Sequence, residues 1–156
     1  DLYGAEVPIG EYKFNNLSLY FRGDRTKTIS LNGNASIGQY FNGTRNSYGV
    51  SATIKRGYRF SVNMGLNKNL VTFPGISVNA DIYTLKIKYN HSVKLFNTLY
   101  FQYNGAEEKL VTNFRMNLIH APLSDLFLVY SNISDLNSDE KDTGMIALKF
   151  TKLFSL

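Results

Sequence analysis

Apolar and polar residues alternate along this chain with a period of two, the spacing that sends neighbouring side chains to opposite faces of a strand. The clearest stretch is 58–67, where Tyr58, Phe60, Val62, Met64 and Leu66 fall on one side and Arg59, Ser61, Asn63, Gly65 and Asn67 on the other. In 82–90, Tyr83, Leu85, Ile87 and Tyr89 oppose Thr84, Lys86, Lys88 and Asn90. In 110–118, Thr112, Phe114, Met116 and Leu118 oppose Val111, Asn113, Arg115 and Asn117; near the end, Ile146, Leu148, Phe150 and Phe154 oppose Ala147, Lys149 and Thr151. The i, i+3, i+4, i+7 spacing of a helix fits none of them. The alternation predicts strands at about 11–22, 27–41, 46–56, 58–69, 79–90, 93–104, 108–119, 124–132 and 143–155.

Several of these runs sustain ten or more residues. Strands in globular proteins are typically about 5–6 residues long, whereas a tilted strand needs about ten to cross a bilayer. The connections add a second sign. Tight turns are expected around Gly23–Asp24, Arg56–Gly57, His91–Ser92 and Ala121–Pro122, alternating with Phe41–Arg45, Asn69–Ala80, Gly105–Glu107 and Ser131–Asp142, of which the second and fourth read as long loops. Outer-membrane barrels have short turns on the periplasmic side and longer loops outside. Aromatic residues supply a third sign: Tyr40, Phe41, Tyr48, Tyr83, Tyr103 and Tyr130 lie toward one set of strand ends and Phe21, Tyr58, Tyr89 and Phe154 toward the other, as interfacial girdles would.

The expected fold is therefore all-β, an antiparallel up-and-down transmembrane β-barrel of about 8–9 meandering strands. Residues 1–156 read as a single outer-membrane β-barrel domain or barrel fragment, with 1–10 an extracellular-side lead-in and 11–156 the barrel strands. Nine strands ending in the periplasm would start outside, whereas single-chain bacterial barrels have an even count. The chain is thus expected to be the C-terminal part of a larger barrel, its first strand pairing with missing N-terminal strands of the same protein or with another chain. The competing expectation is a soluble ligand-binding β-barrel with an apolar internal pocket, since such a barrel alternates too.

Composition narrows the class. Aromatics at 14% and hydrophobics at 44% exclude a disordered tail, and the longest apolar run, Leu126–Tyr130, is far below the roughly 20 residues of a transmembrane helix. Cysteine is absent, so no disulfide, thiolate metal site or cysteine nucleophile is available. The chain opens at Asp1 without the charged and apolar regions of a signal peptide, so either one has been removed or the chain is a piece of something longer. A net charge of +5 bears on association rather than fold.

On the polar side of the strands sit Arg59, Lys86, Lys88, Arg115 and Lys149, expected to face a lumen, while most acidic residues fall in turns. Expected to face lipid are Phe60, Val62, Met64, Tyr83, Leu85, Ile87, Tyr89, Phe114, Phe150 and Phe154. A positive lumen would favour anions. The run Asp135-Leu136-Asn137-Ser138-Asp139 opens like a calcium loop, but Glu140 replaces the glycine at position six and Ile146 the glutamate at position twelve, so it reads as a solvated acidic loop. His91 and His120 fall in turns without a third metal ligand. There is no Gly-x-Ser-x-Gly elbow, Walker loop or dinucleotide fingerprint. No enzyme activity, catalytic residue, metal or cofactor is expected, nor nucleic-acid binding, because the aromatics share the face assigned to lipid.

The run Pro122-Leu123-Ser124-Asp125-Leu126-Phe127-Leu128-Val129-Tyr130, preceded by Gln102-Tyr103-Asn104 and Thr112-Asn113-Phe114-Arg115, resembles the C-terminal barrel of a Bacteroidota outer-membrane family of unknown function. Members carry a carbohydrate-binding-like module of the family-nine type ahead of the barrel. Further similar blocks are Pro8-Ile9-Gly10-Glu11-Tyr12, Gly38-Gln39-Tyr40-Phe41-Asn42-Gly43, Phe73-Pro74-Gly75 and Leu148-Lys149-Phe150-Thr151-Lys152-Leu153-Phe154. Leu123 departs from the family's glycine after the proline, and Met116–Asn117 replace a tryptophan-containing strand end. The resemblance implies the outer membrane of a Gram-negative bacterium, contact with outer-membrane lipid and lipopolysaccharide, and a role as pore, anchor or subunit of a larger envelope complex with other outer-membrane or periplasmic proteins. It supplies no catalytic residue.

Overall fold

A computed structural model describes residues 8–137 and 142–153. They form one antiparallel meander of nine strands in sequence order: β1 (Asn16–Arg22), β2 (Ile29–Tyr40), β3 (Gly43–Arg56), β4 (Phe60–Phe73), β5 (Ile76–Asn90), β6 (Leu95–Asn104), β7 (Lys109–Ala121), β8 (Ser124–Asp135) and β9 (Thr143–Phe150). Each strand pairs with its sequence neighbours alone, so β1 and β9 form no ladder with each other and the sheet is open at both edges. With nine strands the two edge strands run in the same direction. β5 reaches 15 residues and β3 and β4 reach 14, lengths that carry each strand about 48–51 Å at a rise of ~3.4 Å per residue.

The turns correct one expectation. Residues 69–80 are no long loop: β4 and β5 continue to a two-residue turn at Pro74–Gly75, and β2 and β3 likewise meet at Phe41–Asn42. The polar residues Asn69, Thr72, Ser77 and Asn79 resemble loop composition, yet they pair in register across the hairpin, Thr72 with Ser77 and Leu70 with Asn79. Proline pre-sets the first turn position and Gly75 supplies the positive φ (85°) at the second, as a type II turn requires. Loop length is therefore not partitioned between the two ends of the sheet as expected, and Tyr83 and Tyr130 lie within β5 and β8 rather than at their ends.

Three turns adopt left-handed backbone without glycine: Phe41 and Glu108 at φ 51° and Leu123 at φ 55°. A Cβ in this region costs roughly 1–2 kcal/mol. Leu123 follows Pro122 at the position Gly75 holds in its own turn, and its side chain is 75% exposed, so no packing offsets the strain. Leu123→Gly is expected to raise the unfolding free energy by about 1 kcal/mol, read from the denaturant midpoint of the refolded chain; a lowered midpoint would mean that this side chain is held by something that outweighs the strain.

Almost nothing is buried. The core among the described residues is Val71 and Phe73, with Tyr40 and Phe41 packed against them. Phe41 in turn receives the rings of Tyr12 and Phe14 edge-on, each with centroids 5.5 Å away, which ties the segment before β1 to the β2–β3 turn. The chain exposes 11391 Å². A compact protein of 17.7 kDa exposes about 7,900 Å². A single layer of strands leaves both of its faces uncovered, and that is where the excess lies.

Candidate functional site: the polar face of the sheet

Register decides which side chains share a face. One row across the sheet reads Ile54, Val62, Ile87, Leu99, Phe114, Tyr130 and Ile146, from β3 to β9. Two residues along, Phe60 and Tyr89 stand beside each other on the same face; in the other direction come Met64 with Leu85 and Leu66 with Tyr83. Phe150 pairs with Leu126 and continues this apolar face. Nine of the ten residues expected on the apolar side thus lie on one face, and Phe154 falls outside the described residues.

The intervening rows form the opposite face. Lys55, Ser61, Lys88, Thr98 and Arg115 occupy a single row from β3 to β7, a cation on every second strand with a hydroxyl between. Strand spacing sets these cations about 10 Å apart. Lys86 lies on the next row of this face, beside Asn63 and Tyr100, and Lys149 on the row beyond the cations, beside Phe127. Arg59 immediately precedes β4 at the same end. Four of the five cations expected together, Lys86, Lys88, Arg115 and Lys149, are therefore on one face, and Lys55 joins them, while Arg59 stands in the turn before β4. In sequence Lys55-Arg56 reads as a charged strand end; only the pairing of Lys55 with Ser61 shows that it belongs to this row while Arg56, opposite Phe60, belongs to the apolar face.

None of these cations has a carboxylate partner among the described residues, whose ion pairs are Lys68–Asp81 at 3.9 Å and Lys109–Glu107 at 3.4 Å, toward the other end. Other groups hold some of them. Lys55 Nζ donates to the Arg25 carbonyl at 2.9 Å, Arg59 Nε donates to the Tyr58 hydroxyl at 3.1 Å, and the Arg115 guanidinium lies 5.0 Å from the centre of the Phe127 ring. In the turn before β2, the hydroxyl and amide of Thr26 donate to Asp24 and hold its carboxyl below the usual range.

The polar face is the crowded one. A Cβ on Gly49 would overlap Asn34 Oδ1 and stand 2.6 Å from Asn67 Oδ1, and one on Gly65 would stand 2.6 Å from Thr84 Oγ1. On the apolar face a Cβ on Gly33 would meet nothing nearer than a backbone oxygen at 3.7 Å. Exposure follows the same division: Ser30 is 4% exposed between Ile29 at 60% and Leu31 at 51%. At these positions the polar side is the more closely packed and the apolar side the more open. The polar side chains bond across strands, Asn63 to Thr53 at 2.8 Å and Ser47 to Asn69 at 2.7 Å. A groove of about 340 Å³ runs over this face past Asn32, Asn34, Asn63 and Asn67.

The histidines take structural partners. His120 Nδ1 lies 2.8 Å from the Ser124 carbonyl and its ring packs on Phe150, while His91 sits near Tyr89. Among the described residues no group of three His, Asp or Glu side chains is placed to hold a metal ion. Ser138 and Asp139 of the calcium-like run fall outside the described residues.

Compared with known proteins, the chain matches no family model, no curated protein and no solved structure.

Proposed function

We propose that this chain is a wall of an outer-membrane β-barrel in a Gram-negative bacterium, its apolar face against lipid and its cationic face toward a lumen. It would serve as pore, anchor or subunit of a larger envelope complex. The observation that carries the reading is the difference between the two faces: polar side chains pack on one another while most of the large apolar ones stand exposed on the other side. A soluble ligand-binding barrel needs the reverse, with its apolar residues turned inward. The uncovered area also fits, because soluble monomers rarely expose apolar patches above a few hundred Å². Long strands that satisfy their backbone groups by pairing meet the requirement of a bilayer, and the open edges of β1 and β9 call for further strands in hydrocarbon. Those strands would come from other residues of a longer protein or from a partner chain. The resemblance to the Bacteroidota family points the same way.

Single cysteines and a membrane-impermeant thiol reagent test the sidedness. In the assembled protein, Lys86→Cys is expected to label from a water-filled lumen and Leu85→Cys to stay protected; equal labelling of the two positions would overturn the reading. The cation row makes a second, conditional prediction. Where the assembled protein conducts ions across planar bilayers, Lys88→Glu with Arg115→Glu is expected to shift the reversal potential from anion toward cation preference. An unchanged potential would remove this row from the conduction path.

A further inference from the structure

At the Phe41–Asn42 end of the polar face, away from the cation row, lies an open cavity of about 570 Å³. Its volume falls within the usual range of small-molecule sites. Phe14, Tyr40 and Phe41 form an aromatic wall, with Tyr40 and Phe41 at 75° and centroids 4.9 Å apart. Facing it are the Asn16 amide, the hydroxyls of Ser36 and Ser47, and the Arg45 guanidinium, with Gln39 at the rim, its Oε1 accepting from the Asn15 amide at 3.3 Å. Arg45 is held in place, its Nη2 donating to Asn69 Oδ1 at 3.3 Å and its plane 5.7 Å from the centre of the Tyr40 ring. No carboxylate among the described residues pairs with it.

Phe41 is held at φ 51° by its two-residue hairpin, in a turn position where glycine would be unstrained. What sets it apart from Leu123 and Glu108, which hold the same conformation, is the ring it places against Tyr40 and Phe14. Glycine here would leave the hairpin intact and lose the ring that closes the aromatic wall.

From this arrangement we propose that the cavity binds a saccharide carrying an acid group. A pyranose presents an apolar C–H face that packs against aromatic rings, and an equatorial belt of hydroxyls that needs donors and acceptors together. The Asn16 amide and the Ser36 hydroxyl, which accepts from Ser18 and keeps its own proton to donate, supply donors, and Asn16 Oδ1 and the Ser47 oxygen, whose proton goes to Asn69, supply acceptors. The guanidinium of Arg45, with N–H groups left over after the bond to Asn69, forms the bidentate pair with a carboxylate that gives the acidic sugar its advantage over a neutral one.

The test is saturation-transfer NMR on the assembled protein, together with the strands that complete its sheet, extracted in a zwitterionic, sugar-free detergent, with methyl α-D-glucuronide and methyl α-D-glucoside as probes. The glucuronide is expected to receive saturation at its ring C–H protons, with a signal several-fold above that of the glucoside. Phe41→Gly is expected to keep heat-modifiable folding and lose most of the transfer to both sugars. Arg45→Gln is expected to equalise the two probes. Absence of transfer from either sugar to a protein that is folded by heat modifiability overturns the proposal, and so does transfer that Phe41→Gly leaves unchanged. Equal binding of the two sugars by the unaltered chain overturns the acid specificity.

Discussion

Leu85→Arg is expected to lower the stability of the folded, membrane-embedded chain by about 2–4 kcal/mol, the cost of an arginine on the lipid face near the bilayer midplane. Leu85 is paired with Met64 on one side and Phe101 on the other, so the new guanidinium would stand among apolar side chains with no acceptor on its row nearer than the Thr112 hydroxyl on β7. The neighbouring substitution Lys86→Leu, on the opposite face, serves as the control and is expected to change stability by less than about 1 kcal/mol. Equilibrium unfolding by guanidinium in phospholipid vesicles measures both. If the two substitutions cost the same, the apolar face does not meet lipid. In a water-exposed sheet Leu85→Arg would be close to neutral, so the same measurement separates the two environments.

Phe73→Ala carries the other large effect. Phe73 is 3% exposed and stands with Val71 at the centre of the one buried apolar cluster among the described residues, its ring 6.1 Å from that of Tyr40. Removing a buried phenylalanine costs about 3–5 kcal/mol in a closed core; at the end of an open sheet, where the neighbours can close in, about 3 kcal/mol is expected. The damage should travel along the ring contacts, because Tyr40 packs on Phe41 and Phe41 receives Tyr12 and Phe14. Trypsin cleavage after Lys13, between those last two aromatics, is therefore expected to accelerate along with the loss of stability. Phe73→Leu should restore most of the protection. Unchanged cleavage at Lys13 would mean that the segment before β1 is held independently of this cluster.

Strand existence and face assignment could be read from the chain because both follow from a strictly local rule. Successive side chains of a strand point to opposite faces whatever surrounds them, so Tyr58–Asn67 and Tyr83–Asn90 declare their two sides before any partner is known. Loop boundaries obeyed no such rule. Asn69 to Ala80 looks like a loop by composition, and cross-strand pairing overrides it, since Asn, Ser and Thr serve as well on a polar sheet face as in a turn. Leu123 shows the converse: the glycine expected after Pro122 was missing, and the backbone took the left-handed conformation regardless, because the hairpin geometry demands it.

What lay wholly beyond the sequence is how separate strands line up. Nothing local to Lys55, Lys88 or Arg115 says that they share a row; four successive registers bring them there, and a shift of one residue in any of these pairings would send a cation to the other face. The aromatic cavity is likewise a tertiary product. Phe14, Tyr40 and Arg45 come from the segment before β1 and from two strands, and meet only because the β2–β3 hairpin closes in two residues with Phe41 turned into the left-handed region. Alternation is written residue by residue and determined the two faces; register and the close packing of polar side chains across strands are properties of paired strands, so only the tertiary structure could decide them.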